Sequence, residues 1–157
     1  MDAFETVVAM LLRREGYWIT SSYKVDLTKE EKRAIGRFSS PRWEIDLLAY
    51  RGGTHELIAV ECKSFLDSRG VLFNDGGLEP ARTYKLFTDE KLREIVLEHL
   101  RIQLIATQSC SKETKVQLAL ATGKIAKTTN RAAMEVYFRR VIGFCLMTIG
   151  YRPNFAI

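Results

Sequence analysis

Several features that mark particular protein classes are scarce in this chain of 157 residues. Its three cysteines (Cys62, Cys110 and Cys145) are odd in number and lack CxxC spacing, so neither a disulfide scaffold nor a cysteine zinc site is expected. Only 3 prolines and 10 glycines are present, which argues against a disordered chain. No apolar run approaches the roughly 20 residues that span a bilayer, and two early acids do not suit a secretory signal. We therefore expect a cytoplasmic globular protein without a membrane segment.

The positive charge of the chain is concentrated in its last third. The formal net charge is +5, and residues 110–157 contain eight Lys/Arg against two Asp/Glu, a local net of +6. The remaining sixteen basic and seventeen acidic residues give residues 1–109 a net of −1. A basic region suggests nucleic acid as a partner, because binding to phosphates releases counterions, although a solvated basic face is the alternative. The predicted nucleic-acid contacts are Lys112, Lys115, Lys124, Lys127 and Arg131.

Hydrophobic periodicity predicts alternating helices and strands with no linker between them, and hence one α/β domain over residues 1–157. The predicted helices cover residues 2–15, 88–109 and 130–142. The predicted strands cover residues 17–25, 42–50, 54–64, 115–122 and 144–149. An excursion or short helix is expected at 27–41, and residues 65–87 contain too many turn signals for one regular element. The resulting order is α-β-β-β-α-β-α-β.

The strongest local signal is a hairpin around Arg51-Gly52-Gly53-Thr54. Because side chains alternate across a strand, one face of the hairpin should be apolar and consist of Ile45, Leu47, Ala49, Ile58, Val60 and Cys62. The other face is apolar near the turn, but its far end carries Asp46, Glu61 and Lys63. Depending on the register, Asp46 lies opposite Ala59 or Glu61.

Two carboxylates and an ammonium group therefore converge at one end of a mostly buried hairpin. Burying such groups is costly unless they pair with each other or bind a metal ion. Mg²⁺ commonly takes one or two carboxylates together with water and substrate phosphate. A simple ion pair of Lys63 with Glu61 or Asp46 is the alternative.

This arrangement resembles the PD-(D/E)XK nuclease superfamily, which has the restriction-endonuclease-like fold, and is closest to its resolvase and methylated-DNA restriction branches. The resemblance lies in a first helix with Glu5, then Asp46 on a strand, a tight hairpin, and Glu61-Cys62-Lys63. It covers about residues 1–65 in motif and 1–123 in element order. The chain departs from the motif at Ile45, which stands where the family often has proline.

The resemblance implies a mixed sheet with helices on both faces and a divalent-metal-dependent deoxyribonuclease that hydrolyses phosphodiester bonds. By this resemblance Asp46 and Glu61 bind Mg²⁺ or Mn²⁺, with the backbone carbonyl of Cys62 as a further ligand. Lys63 then positions or polarises the attacking water. DNA is the implied partner, and a homodimer is compatible with the resemblance.

Glu5 has two interpretations. Helical spacing places it beside the core-facing stripe, and in the resembling family a first-helix glutamate often points at the metal site. The spacing Asp2-x-x-Glu5 equally predicts a capping box, in which the Glu5 carboxylate accepts a hydrogen bond from the N-cap amide. The sequence leaves both roles open.

Two other functions are compatible with the sequence. The chain could be a nucleic-acid-binding module of the same fold that lacks catalysis. It could also be an interaction subunit of a restriction or mobile-element system. In that case the partner surface is expected in residues 65–87, which contain Phe65, Leu72, Phe73, Tyr84 and Phe87.

Overall fold

The computed structural model describes residues 2–37, 42–142 and 146–148 of a mixed α/β protein, as the sequence predicts. The helices in this part are α1 (Ala3–Arg14), α2 (Lys29–Ala34), α3 (Lys85–Thr88), α4 (Glu90–Ala106) and α5 (Arg131–Tyr137). The strands are β1 (Trp18–Val25), β2 (Trp43–Arg51), β3 (Glu56–Lys63), β4 (Leu72–Asn74), β5 (Gly77–Glu79), β6 (Lys115–Thr122) and β7 (Leu146–Thr148). None of the helices in the described ranges has both the length and the apolar character needed to cross a membrane.

One sheet contains the strands β1, β2, β3, β6 and β7 in that order. The pairs β1–β2 and β2–β3 are antiparallel, whereas β3–β6 and β6–β7 are parallel. Consequently β1, β3 and β6 end, and β2 begins, along the same edge of the sheet. We call this the carboxyl edge; it is marked by Val25, Trp43, Lys63 and Thr122. The turn Gly52–Thr54 between β2 and β3 lies at the opposite edge.

Helices cover both faces of this sheet. On one face α1 inserts Phe4, Val8 and Leu12, which cluster with the buried strand residues Leu47, Ala49, Ile58, Val60, Ala119 and Ala121. On the other face α4 inserts Leu92, Val96 and Leu100, which cluster with Leu48, Leu57, Ala59, Leu118 and Leu120. Both α1 and α4 bury one apolar stripe, which is why their sequences show a helical period.

The alternation of side chains is interrupted at Asp46. Ile45 packs in the cluster under α4, whereas Leu47 packs in the cluster under α1, although residues two apart in a regular strand share a face. The neighbouring strand is also irregular at this level, because Ser22 lies between the pairs Ser21↔Leu47 and Tyr23↔Ile45 and has a φ of 51°. The prediction that Ile45 shares the face of Leu47 is therefore wrong.

Residues 65–87 contain short regular elements instead of a long irregular loop. β4 and β5 form a hairpin, and a 3₁₀ turn at Ala81–Tyr84 leads into α3. Phe73, Tyr84 and Phe87 are at most 4% exposed and belong to the cluster under α4. The prediction that these three aromatic side chains form a partner surface is wrong, because the core already uses them.

Most of the remaining predicted bounds shift by a few residues. The predicted helix at 88–109 ends at Ala106, and its N-cap Asp89 accepts a hydrogen bond of 3.0 Å from the Leu92 amide. The predicted helix at 130–142 is α-helical over Arg131–Tyr137 and continues as a π-helical turn, Phe138–Ile142. Residues 38–41 of the predicted excursion, and the ends of the last predicted strand, lie outside the described residues.

Candidate active site

The register of the hairpin brings Asp46 and Glu61 to the same level. Pairing between β2 and β3 runs from Arg51↔Glu56 to Leu47↔Val60 and stops there. Asp46 and Glu61 are the next residues on the two strands, so of the two predicted registers the chain adopts the one that opposes them. The site therefore lies where the antiparallel ladder ends, close to the carboxyl edge.

A backbone hydrogen bond holds the carboxylate of Asp46. The Cys62 amide donates to Asp46 Oδ2 at 2.7 Å, so the side chain extends along the sheet toward β3. The interrupted alternation in β2 accompanies this orientation, because Asp46 lies between Ile45, which packs under α4, and Leu47, which packs under α1. The Cys62 amide lies beyond the last β2–β3 pair and donates to this carboxylate instead of to a backbone carbonyl of β2. The hydrogen bond fixes the orientation of the carboxylate.

Glu61 lies in an environment that disfavours its charge. Its side chain is 15% exposed, and Lys63 Nζ lies 3.7 Å from Glu61 Oε2. The other oxygen, Oε1, is buried and has no hydrogen-bond partner within the described ranges. Burial raises the pKa of Glu61 to about 7, with a further increase from the charge of Asp46 and an opposing effect of Lys63. The ion pair with Lys63 thus compensates only part of the cost of burial.

The thiol of Cys62 is not a reactive group. Burial raises its pKa above the ordinary value, and the negative charges of Asp46 and Glu5 raise it further. A thiol with a raised pKa stays neutral near pH 7 and is a poor nucleophile and metal ligand. The predicted role of Cys62 concerned its backbone carbonyl, and the structure adds the amide contact to Asp46.

Glu5 forms the capping box. The Asp2 amide donates to Glu5 Oε2 at 3.0 Å, and the Glu5 amide donates to Asp2 Oδ1 at 2.8 Å. The charge of Glu5 also acts on the Cys62 thiol, so the carboxylate lies on the α1 side of β3. Glu5 was predicted either to point at the metal site or to cap α1, and the structure contains both hydrogen bonds of the cap.

We expect Glu5→Gln to retain both its stability and the metal-dependent DNA cleavage that the sequence predicts. Glutamine also completes a capping box, because its side-chain oxygen accepts the N-cap amide hydrogen bond. Glu5→Ala should lose about 1 kcal/mol of stability, the usual scale for a lost cap, without a changed metal requirement. Urea denaturation and a metal titration of DNA cleavage test this together. A large loss of cleavage in Glu5→Gln at normal stability would instead assign Glu5 to the metal site.

Two loops that leave the carboxyl edge lie side by side next to these residues. The Val71 amide donates to the Lys124 carbonyl at 2.9 Å, and the Ala126 amide donates to the Val71 carbonyl at 2.8 Å. Gly70 permits this contact, because a Cβ there would lie 2.8 Å from the Lys124 carbonyl oxygen. Gly123 similarly permits a close approach to the residue after β3, because a Cβ there would lie 2.4 Å from the Ser64 carbonyl oxygen. The backbone of residues 123–126 therefore packs against the end of β3, which carries Lys63.

The five predicted nucleic-acid contacts are all exposed, but they divide between the two edges of the sheet. Lys124, Lys127 and Arg131 follow β6 at the carboxyl edge, where Thr122 pairs with Lys63. Lys124 Nζ also donates to the Ser68 carbonyl at 2.6 Å. Lys115 begins β6 beside Glu56, and Lys112 precedes it. Glu61 pairs with Leu120, five residues along β6 from Lys115, so Lys115 lies about 17 Å from the level of the candidate site at about 3.3 Å per residue.

The carboxylates suit a cation that needs few protein ligands. In the part of the chain that the structure describes, no three His, Cys, Asp or Glu side chains are grouped to hold a metal ion. Mg²⁺ and similar ions often take only one or two carboxylates and complete their shell with water and phosphate. Asp46 and the unpartnered oxygen of Glu61 match that requirement.

Comparison with known proteins does not identify a relative. No family model matches the chain, and neither a curated protein nor a solved structure matches it. Function must therefore be argued from the site itself.

Proposed function

We propose that this protein is a divalent-metal-dependent deoxyribonuclease of restriction-endonuclease-like fold that hydrolyses phosphodiester bonds. The observation that carries the proposal is the meeting of Asp46, Glu61 and Lys63 at the end of the β2–β3 ladder. In particular, Glu61 Oε1 is buried with no hydrogen-bond partner among the residues described. A buried carboxylate oxygen in this state is costly, and a bound cation would remove that cost.

The topology supports the same proposal. A helix precedes three antiparallel strands, and a helical crossover then leads to β6, which lies parallel to β3. With the additional elements α2, β4, β5 and α3 left out, this order agrees with the one that the resemblance implies for residues 1–123. It places the Asp-bearing and Glu-x-Lys-bearing strands next to each other with their charged residues at one level.

Each side chain has a definite task in this proposal. The Cys62 amide holds one oxygen of Asp46, which leaves the second oxygen available to a cation. Asp46 and Glu61 would hold Mg²⁺ or Mn²⁺, with the Cys62 carbonyl as the further ligand that the resemblance implies. When bound, such an ion lowers the pKa of its water and neutralises phosphate oxygens. Lys63, fixed by Glu61, would orient that water and offset negative charge as it develops on the phosphate.

The charge around the site suits a polyanionic substrate. Lys124, Lys127 and Arg131 are exposed and follow β6 at the carboxyl edge. The end of β6 lies beside the end of β3 that carries Lys63. Exposed cations beside a buried carboxylate pair would attract the backbone of a nucleic acid and oppose its repulsion by Asp46 and Glu61. A module that binds nucleic acid without cleaving it is the second candidate, because the ion pair of Lys63 with Glu61 already gives these two charges partners.

Metal binding separates the two candidates. Divalent cations should raise the melting temperature of the wild-type protein, because a ligand of the native state stabilises it by mass action. The gain is about 2.7 kcal/mol at a concentration 100-fold above Kd. For a domain of this size that corresponds to a shift of roughly 5–10 °C.

Asp46→Asn should abolish this shift while leaving the fold intact, because the asparagine oxygen still accepts the Cys62 amide hydrogen bond. Asp75→Asn, in the exposed turn between β4 and β5, is the matched control and should shift like the wild type. Equal shifts in all three proteins would place the cation elsewhere and contradict the proposed site.

A further inference from the structure

The end of β1 and the loop that follows it carry a second group of cations, which the summed charge of residues 1–109 does not reveal. Residues 24–37, which we call the basic arm, contain five basic and three acidic residues. The basic residues are Lys24, Lys29, Lys32, Arg33 and Arg37. Two of the acids are already paired within the chain, because Asp26 forms an ion pair with Arg42 and Glu31 binds His99 at 2.8 Å.

The basic arm is docked on α4. Gln103 accepts a hydrogen bond from the Asp26 amide at 3.1 Å and donates one to the Lys24 carbonyl at 3.1 Å. The Glu31–His99 contact fixes α2, and Leu27 and Ile35 pack against the cluster under α4. The arm therefore has a defined position relative to the sheet, unlike a mobile charged loop.

The cations of α2 face away from that docking contact. Lys29, Lys32 and Arg33 have i, i+3 and i+4 spacing, which places them on one stripe of the helix. At 100° per residue, Glu31 lies roughly half a turn away from this stripe and points to α4. Lys29 and Arg33 are accordingly exposed, whereas Glu31 is partly buried.

The arm leaves the sheet at the same edge as the candidate site. Val25 at the end of β1 pairs with Trp43, and Lys63 at the end of β3 pairs with Thr122. The arm lies beyond β1 on one side of Asp46 and Glu61, and the loop with Lys124, Lys127 and Arg131 lies beyond β6 on the other. With strands about 4.8 Å apart, β1 and β6 are separated by roughly 14 Å, on the order of the ~12 Å width of the major groove of DNA.

We infer that the basic arm is a second phosphate-binding surface for duplex DNA, on the opposite side of the site from Lys124, Lys127 and Arg131. This inference rests on the proposed function, since it assigns the arm to the same nucleic-acid substrate. DNA lying across the carboxyl edge would contact cations on both sides, and its scissile backbone would lie over Asp46, Glu61 and Lys63.

The test compares two double variants in DNA binding with EDTA present, so that proposed metal-dependent cleavage does not interfere. Lys29→Gln/Arg33→Gln removes two exposed cations of the arm. Arg13→Gln/Arg14→Gln removes two exposed cations at the end of α1, near the start of β1 at the opposite edge. Each phosphate contact contributes about 0.9 to the slope of log affinity against log salt. The arm variant should lose about 2 units of that slope. The control variant should match the wild type, and melting temperatures confirm that both fold.

A wild-type slope in the arm variant overturns the inference, and so does a wild-type protein that does not bind duplex DNA. If the wild type cleaves DNA while the arm variant keeps its slope, the arm assignment fails and the proposed function stands. If the wild type binds without cleaving and the arm variant alone loses slope, the arm is supported and the nuclease proposal fails.

Discussion

Lys63→Ala is expected to lower the rate of DNA cleavage by about 10²–10³-fold, the range observed when one group that stabilises developing charge is removed. The affinity for DNA should change little, because Lys63 acts on charge that develops in the transition state. Its ammonium group lies 3.7 Å from Glu61 and is only partly exposed, so it is positioned toward the carboxylates and not toward open solvent.

The matched control is Arg14→Ala, which removes an exposed cation at the end of α1, near the opposite edge of the sheet, and should cleave like the wild type. Single-turnover cleavage at saturating protein separates the rate from binding. Undiminished cleavage by Lys63→Ala, in a preparation free of host nucleases, would remove Lys63 from the catalytic assignment.

The metal-free protein should lose stability as the pH rises from about 4.5 to 7, and Glu61→Gln should remove most of that loss. Burial raises the pKa of Glu61 from 4.5 to about 7. Between these values the folded protein holds a proton that the unfolded chain releases, so the free energy of unfolding decreases with rising pH and levels off above about 7. At about 1.4 kcal/mol per pKa unit, the total decrease is about 3 kcal/mol.

Urea denaturation at about pH 5 and pH 8 in EDTA measures this difference, and only the change between the two pH values is compared. Glu94→Gln, at an exposed position on α4, is the control and should keep the wild-type dependence. Glu31, whose pKa is lowered chiefly by hydrogen bonds from Thr28 and His99 against an opposing effect of burial, contributes stability that is lost as pH falls. That contribution is present in all three proteins. If the stability of Glu61→Gln depends on pH as strongly as that of the wild type, the pKa of Glu61 is not raised by folding.

The regular elements of the fold were accessible from the sequence because each buries a periodic apolar stripe. The strand predicted at 115–122 has the bounds of β6. The spacing Asp2-x-x-Glu5 predicted a capping box that the structure contains. Local hydrogen bonding and burial determine these features, so the residues involved are neighbours in the sequence.

The geometry of the site could be predicted only in part. The hairpin signal was sufficient to place Asp46 and Glu61 at one end, but strict alternation gave the wrong face for Ile45. The interruption at Asp46 depends on the adjacent strand, where Ser22 has a positive φ. It also depends on the hydrogen bond that the Asp46 carboxylate accepts from the Cys62 amide. Such contacts join residues far apart in the chain, and no local pattern encodes them.

The distribution of charge illustrates the same limit. A count along the sequence grouped Lys112 and Lys115 with Lys124, although an eight-residue strand separates them in space. It also left Lys29 and Arg33 unassigned, because the seventeen acids of residues 1–109 outnumber the sixteen basic residues in the sum. The i, i+4 spacing of these two residues was a usable signal, but the topology was needed to place them at the carboxyl edge.

The central claim is that Asp46 and Glu61 hold a divalent cation beside Lys63. A crystal structure of the wild-type protein with Mn²⁺, located by its anomalous scattering, tests this claim most directly. We expect an anomalous peak within coordination distance of carboxylate oxygens of both Asp46 and Glu61, with Lys63 Nζ facing the water bound to the ion. A crystal saturated with Mn²⁺ that shows no peak there, with Lys63 paired to the two carboxylates instead, would contradict the account.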